Sequence, residues 1–388
     1  MNFTYYSPTK IYFGVNEEEK IGSIIKEYGF KKVLLHYGTG SIKKTGLYKK
    51  IIDSLDESRI NYVELGGVEP NPDITLVRKG IDLCKKENVD FILAVGGGSV
   101  IDSAKSIASS VLVDIDPLDL TLHLREVTKA LPIGVILTIS AAGSELSNSC
   151  VISDRTTLLK NGFNSDLIRP LFVIENPRLT YTVSKYQTAC GVVDILMHTL
   201  ERYLTDVDCN TLADTFALGL MKDVIKAGKV VMVDPTNYEA RSTLMLASSF
   251  SHNGLTGMGG KMYFTVHKLE HQLSGKYDTI AHGAGLAVLF PAWAKYVYKH
   301  LKTKFLNLAY EIWNIDQRLP EDYAIELCIE KFKNYFKFLE MPTTLSEFGF
   351  DIDIERMAND ITKNGTVKVP GFIELDKNDV IKIFEISK

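Results

Sequence analysis

The chain has 388 residues, 45% of them hydrophobic and 24% charged, with a formal net charge of −4. That balance excludes wholesale disorder, supplies apolar mass for two or three cores, and offers no basic surface for nucleic acid or anionic membrane. Five cysteines, at 84, 150, 190, 209 and 328, are scattered without a CxxC pair and are expected to be reduced thiols. Met1-Asn2-Phe3-Thr4-Tyr5-Tyr6 lacks the basic-then-apolar pattern of a signal peptide, and no apolar run reaches membrane-spanning length. A cytoplasmic protein without membrane or nucleic-acid partners is expected.

Lys32-Val33-Leu34-Leu35-His36-Tyr37 is a compact strand that stops at Gly38-Thr39-Gly40. A helical stretch from Leu47 to Leu55 and a second strand, Tyr62-Val63-Glu64-Leu65, come next. Ile74 to Glu87 has apolar residues at helical spacing, and Phe91-Ile92-Leu93-Ala94-Val95 is a buried-type strand running into Gly96-Gly97-Gly98. A helix from Ser99 to about Val111 and a strand, Ile133-Gly134-Val135-Ile136-Leu137, continue the alternation. This rhythm predicts a Rossmann-like parallel sheet with helices on both faces. After Pro177, long amphipathic segments (185–205, 211–231, 238–250 and 325–338) replace the strands. The expected organisation is an α/β domain over 1–182 and an all-helical domain over 183–388, with a ligand in the cleft between them.

Three strand ends carry glycine-bearing loops. Gly96-Gly97-Gly98-Ser99 lies between a strand and a helix, where exposed N–H groups and the helix N-terminus suit a pyrophosphate. Ile101 stands where a G-x-G-x-x-G motif has its third glycine, so the ordinary fingerprint fails, and a plain tight turn also satisfies the pattern. Thr138-Ile139-Ser140-Ala141-Ala142-Gly143-Ser144-Glu145 and Gly38-Thr39-Gly40-Ser41 are the other two. The three together are more specific than any one of them.

The helical half has a second constellation. Asp194 and His198 sit i, i+4 inside an apolar run, His267 and His271 repeat that spacing, and His282-Gly283 opens a further helical pattern. A divalent metal would explain how Asp194 is accommodated among Val193, Leu196 and Leu200 without a large desolvation cost. Such a cation can polarise a carbonyl oxygen.

With these motifs in chain order, the sequence resembles the iron-containing (group III) alcohol dehydrogenase family, in particular its butanol dehydrogenase and aldehyde reductase branch. The matching segments are Gly96-Gly97-Gly98-Ser99…Asp102-Ser103-Ala104-Lys105, Gly143-Ser144-Glu145, Gly191…Asp194…His198…Glu201 and His271…Leu273-Ser274…Tyr277-Asp278…His282-Gly283. The resemblance implies a dehydroquinate synthase-like fold, with a dinucleotide-binding α/β domain and an all-α metal-binding domain. It implies that Asp194, His198, His267 and His282 hold Fe2+, or Zn2+, and that His271 is the catalytic histidine beside nicotinamide and substrate. It also places Gly97, Gly98 and Ser99 on the pyrophosphate, Asp102 near the nicotinamide, Thr138 and Ser140 along the dinucleotide, Lys160 on its ribose or phosphate, and Leu179 and Thr182 against it. Two departures stand out: Ala142 occupies a position where relatives carry Thr, and the gap from His271 to His282 is one residue longer than usual.

Gly38 and Ser41 frame the loop expected to meet the adenosine ribose. No acid lies there to accept from a 2′-hydroxyl, while Lys43 and Lys44 follow closely, so NADP(H) is expected to be preferred over NAD(H). The implied reaction is reversible hydride transfer with a butanol-like primary alcohol or aldehyde, and the implied assembly is a homodimer. A glycerol or polyol dehydrogenase is the near alternative. A dehydroquinate-synthase-like lyase would need a cluster of Arg and Lys around the metal for an anionic substrate, and the segments flanking His267 and His282 offer mainly Lys261, Lys268 and Lys276, without arginine. A nucleotide-binding protein with a dead site would not need the ligand set.

Overall fold

The computed structural model describes residues 2–157, 159–207 and 211–388. Cys209 lies outside the described residues; Cys84, Cys150, Cys190 and Cys328 are buried free thiols. The chain divides into two compact units: Tyr6–Val183, and Ser184–Lys388 together with the N-terminal segment as far as Tyr5.

The first unit contains, in chain order, β1 (Lys10–Phe13), α1 (Ile21–Glu27), β2 (Lys32–Gly38), α2 (Ser41–Lys44), α3 (Leu47–Glu57), β3 (Asn61–Val68), α4 (Ile74–Glu87), β4 (Phe91–Gly96), α5 (Gly98–Val111), α6 (Pro117–Thr121), β5 (Ile133–Leu137), β6 (Ser149–Asp154), β7 (Leu159–Asn164) and β8 (Phe172–Glu175). Six strands form one parallel sheet in the order β1-β8-β5-β4-β2-β3. The apolar runs of β4 and β5 are buried throughout, as strands covered on both faces must be. Asp73 caps α4 by accepting from the Thr75 amide, and Asn88 closes it in the left-handed region at φ 54°.

Strand order explains where a ligand would lie. The sheet grows outward from β2 to β3, then crosses back to place β4 on the other side of β2. The ends of β2 at Gly38 and β4 at Gly96 flank this switch point, and β5 brings Thr138 alongside, where the Thr138 amide donates to the Gly96 carbonyl at 3.1 Å. Short strands β1 and β8, and the separate antiparallel pair β6–β7, were not legible from periodicity.

The second unit is helical: α7 (Lys185–Tyr203), α8 (Thr211–Val233), α9 (Tyr238–His252), α10 (Thr265–Lys276), α11 (His282–Val297), α12 (Lys302–Glu311), α13 (Glu321–Phe338), α14 (Ile354–Thr362) and α15 (Lys377–Ile386). Ser184 caps α7 by accepting from the Gln187 amide. Every residue from Thr188 to Tyr203 is buried, so α7 is the central helix of its unit rather than a half-exposed amphipath. Its apolar side chains, among them Leu196 and Leu200, share one core with Met221, Leu269, Leu286, Phe290 and Phe336. Among the described residues, no helix is long and apolar enough to cross a membrane.

Candidate active site

The central helix α7 carries Asp194, His198 and Glu201 on one buried face. Asp194 Oδ1 lies 3.3 Å from His198 Nδ1, 3.6 Å from His267 Nε2 and 3.6 Å from His282 Nε2. The ligand atoms of Asp194, His267 and His282 all lie within 4.8 Å of one another. The His198 ring completes the group, with its centroid 4.5 Å from that of His267. The extended interval before His282 does not displace it; Ala281 precedes α11 in an extended conformation and His282 begins the helix facing Asp194.

Three of these atoms, Asp194 Oδ1, His198 Nδ1 and His267 Nε2, are buried and have no hydrogen-bond partner. Buried polar atoms without partners are costly unless something else satisfies them. One carboxylate oxygen amid lone-pair-bearing imidazoles is a donor set that fits a divalent cation such as iron or zinc.

The outer contacts support that fit. Glu201 Oε2 pairs with His267 Nδ1 and also accepts from the His267 amide at 3.1 Å, while Oε1 accepts from the Val266 amide at 2.7 Å. Glu270 Oε2 pairs with His282 Nδ1. Each carboxylate holds the Nδ1–H tautomer and leaves Nε2 free to ligate, the usual outer arrangement of a metal-binding histidine. Glu201 does a second job. Phe264, the residue before α10, has φ 51° and gives no side-chain cap, so Glu201 from α7 satisfies the first amides of α10 instead.

Electrostatics divide the imidazoles. Burial pushes His198 well below its ordinary range, with His252, His267 and Arg202 adding to the effect. For His267, burial also pulls down, but Glu201 and Asp194 outweigh it and raise the ring to about 9. The carboxylates that favour that proton equally favour a cation in its place.

Glycines set the helix spacing. A Cβ at Gly283 would meet the Cys190 carbonyl oxygen at 2.4 Å and its Cα at 2.6 Å, and one at Gly285 would meet Glu270 Cγ at 2.8 Å. The absence of side chains there lets α11 approach α7 and α10 closely enough to present His282. His271 sits beside the cluster, half-buried, with its ring 5.3 Å from that of His282 and 6.2 Å from that of His267.

Several neighbours were not singled out as functional by the sequence. His252 ends α9, and its ring stands 4.2 Å from that of His198. Buried Arg202 donates to the His198 carbonyl at 3.2 Å and the His252 carbonyl at 3.3 Å, and its guanidinium lies 4.7 Å from the Phe264 ring centre. Glu201 and Glu270 had a signal available: each is a carboxylate at helical spacing from a ligating candidate, inside an apolar segment.

In the first unit, the glycine turn is built for close approach. A Cβ at Gly97 would lie 2.2 Å from Ile139 Cγ2, and one at Gly98 would lie 3.1 Å from the Ala142 Cβ. The turn is therefore packed on the loop after β5, which contains Thr138 and Ser140. Ser140 Oγ is buried with no partner, an orphan that fits a hydrogen bond to a dinucleotide. Gly38 ends β2, and exposed Ser41 starts the short helix α2. Lys43 lies over the Tyr37 and Tyr48 rings at 5.2 and 4.7 Å.

Ser99 is in the first turn of α5, and Lys160 is buried on β7. Leu179 packs against the sheet core, whereas Thr182 is exposed. Asp102 faces the hairpin: its Oδ1 accepts from Ser144 Oγ at 2.6 Å and its Oδ2 from the Val151 amide at 3.0 Å. His36 on β2 is buried and bridges the Leu65 carbonyl and Ser103 Oγ.

A parallel sheet with glycine-bearing ends in one unit and a buried Asp/His cluster in the other define a dehydrogenase of the metal-binding type. Residues 8–177 match the iron-containing alcohol dehydrogenase model, and residues 188–387 match the C-terminal model of the Fe-containing alcohol dehydrogenase family. The chain belongs to that family. It is 41% identical over 389 residues to the NADH-dependent butanol dehydrogenase A of Clostridium acetobutylicum, covering 100% of both chains. It is 35% identical over 353 residues to the NADPH-dependent aldehyde reductase of Escherichia coli, covering 90% of each. The crystal structure of NADH-dependent butanol dehydrogenase A from Thermotoga maritima is similar with a TM-score of 0.95 and 37% identity, over 100% of this chain and 98% of that one.

Proposed function

We propose that the chain is a metal-dependent alcohol dehydrogenase and aldehyde reductase acting on butanol-like primary alcohols and aldehydes, with NADP(H) preferred over NAD(H) and iron or zinc as the resident metal. The observation that carries this reading is the meeting of Asp194 Oδ1 with ring nitrogens of His198, His267 and His282, two of them unpartnered. A cation there would polarise the substrate oxygen, and a nicotinamide dinucleotide would give or take the hydride.

Asp194 and the three imidazoles hold the metal, and Glu201 and Glu270 fix the ring tautomers that make this possible. His271, half-buried at the edge of the ring cluster, passes the alcohol proton through a ring nitrogen toward solvent. Gly97, Gly98 and Ser99 bind pyrophosphate at the start of α5, with Thr138, Ser140, Lys160, Leu179 and Thr182 along the cofactor.

Preference for NADP(H) is supported by the loop from Gly38 to Ser41, which has no carboxylate to repel a 2′-phosphate and is followed by Lys43 and Lys44. The named relatives point both ways, since the C. acetobutylicum enzyme is NADH-dependent and the E. coli enzyme NADPH-dependent. A homodimer belongs to the same reading, and β1 at the edge of the sheet is available for pairing.

The test is NADPH and NADH oxidation by iron- or zinc-loaded protein over straight-chain aldehydes of graded length. Turnover with butanal-like substrates is expected, faster with NADPH. No aldehyde-dependent oxidation with either cofactor refutes the activity; higher kinetic specificity for NADH refutes the cofactor preference alone.

A further inference from the structure

Lys105 is wholly buried in the middle of α5. Its ammonium donates to the carbonyls of Ser144, Ser147 and Ser149 at 2.7, 2.9 and 2.8 Å, and to Ser144 Oγ and Ser147 Oγ at 3.0 and 3.2 Å. One turn earlier on the same helix, Asp102 accepts from Ser144 Oγ and from the Val151 amide. Burying an ammonium is costly, and a chain seldom does so without dense compensation. Here the compensation comes from a segment that periodicity did not identify as structured at all.

The segment matters for what it connects. It leaves the loop that holds Thr138 and Ser140, enters β6 at Ser149, and β6 pairs antiparallel with β7, where Lys160 lies opposite Ser153. Helix α5 therefore carries the glycine turn at its N-terminus and, through Lys105 and Asp102, grips both the end of the β5 loop and the start of the hairpin. A methyl group in place of that ammonium would take a donor from three carbonyls, of which only that of Ser144 keeps another in the Ser147 amide at 3.2 Å, and would free the loop from the helix.

We propose that Lys105 is the positioning residue of the dinucleotide site, contacting no cofactor itself but locking the Thr138–Ser140 loop and the Lys160 hairpin to the helix that binds pyrophosphate. This rests on the reading that the glycine turn holds a dinucleotide. Lys105 acts through Ser144 and Ser147, while the metal cluster lies in the other unit and is independent of it.

The test is equilibrium binding of NADPH and NADH to the full chain, followed by nicotinamide fluorescence, for wild type, Lys105→Met and Ser144→Ala, with metal content measured in parallel. Lys105→Met is expected to weaken binding by roughly tenfold or more, as buried groups near a site that lose their partner do, and to leave metal content unchanged. Ser144→Ala, which removes one shared hydroxyl, is expected to weaken binding about threefold and decides the matter if Lys105→Met does not fold. Ile107→Val, a trimming of the same helix, should bind like wild type. Wild-type binding that both variants retain overturns the role of Lys105, and so does equal weakening in Ile107→Val. A wild type that binds neither nucleotide overturns the dinucleotide reading itself, and the proposal with it.

Discussion

Replacing Glu201 with Gln tests the metal centre through a residue that does not ligate. Glu201 serves three donors: Oε1 takes the Val266 amide, and Oε2 takes both the His267 amide and His267 Nδ1. Glutamine keeps one acceptor and gains an NH2. Placed at the Oε2 position, that NH2 confronts two N–H groups; flipped, it confronts the Val266 amide. At least one buried donor loses its acceptor in either orientation, a cost of about 1–3 kcal/mol. At about 1.4 kcal/mol per decade, that corresponds to roughly fivefold to somewhat over a hundredfold in an equilibrium constant. The loss falls on the ring that must present Nε2, so metal affinity should drop by about that factor, in line with other outer-sphere substitutions. Competition against a chromophoric chelator measures it directly, without reference to turnover. Affinity within about twofold of wild type would show that Glu201 merely caps α10 and that His267 orients without it.

Gly283→Ala should fail by geometry. The new methyl would meet α7 backbone at Cys190, which cannot yield as a side chain can, so α11 must move and take His282 with it. Reduced metal content in purified protein and a lower melting temperature are expected, and wild-type values for both would contradict the close-packing argument. Lys105 also predicts a pH dependence. Burial lowers its ammonium from 10.5 to about 8, opposed by Asp102, Cys150 and Glu145 and assisted by Arg169. Burial also raises Asp102 and pushes the Cys150 thiol well up, so the lysine is the group that changes state first on the alkaline side. A depressed lysine is charged below about 8 and loses its proton as pH rises through that value, leaving two N–H donors for five acceptors. NADPH affinity should be flat up to about pH 8 and weaken above it; a flat profile to pH 10, measured by the same fluorescence titration, refutes the coupling.

The sequence alone determined the elements whose cause is local. Continuous apolar runs such as 91–95 and 133–137 have few options besides buried parallel strands, glycines after them mark strand ends, and i, i+4 spacing puts Asp194 with His198 and His267 with His271 on shared helix faces. Tertiary structure decided what depends on partners far along the chain. Glu201 and His267 are 66 residues apart, Lys105 and its acceptors 39 to 44, and no periodicity links them. β1 and β8 are strands only because each borders a neighbour in the sheet, and the segment from Ser144 to Ser149 that leads into β6 holds the buried Lys105 ammonium, which composition would have left on the surface. Local pattern is written in spacing along one element, whereas a site is a coincidence of several elements whose contact energies exist only after the core has formed.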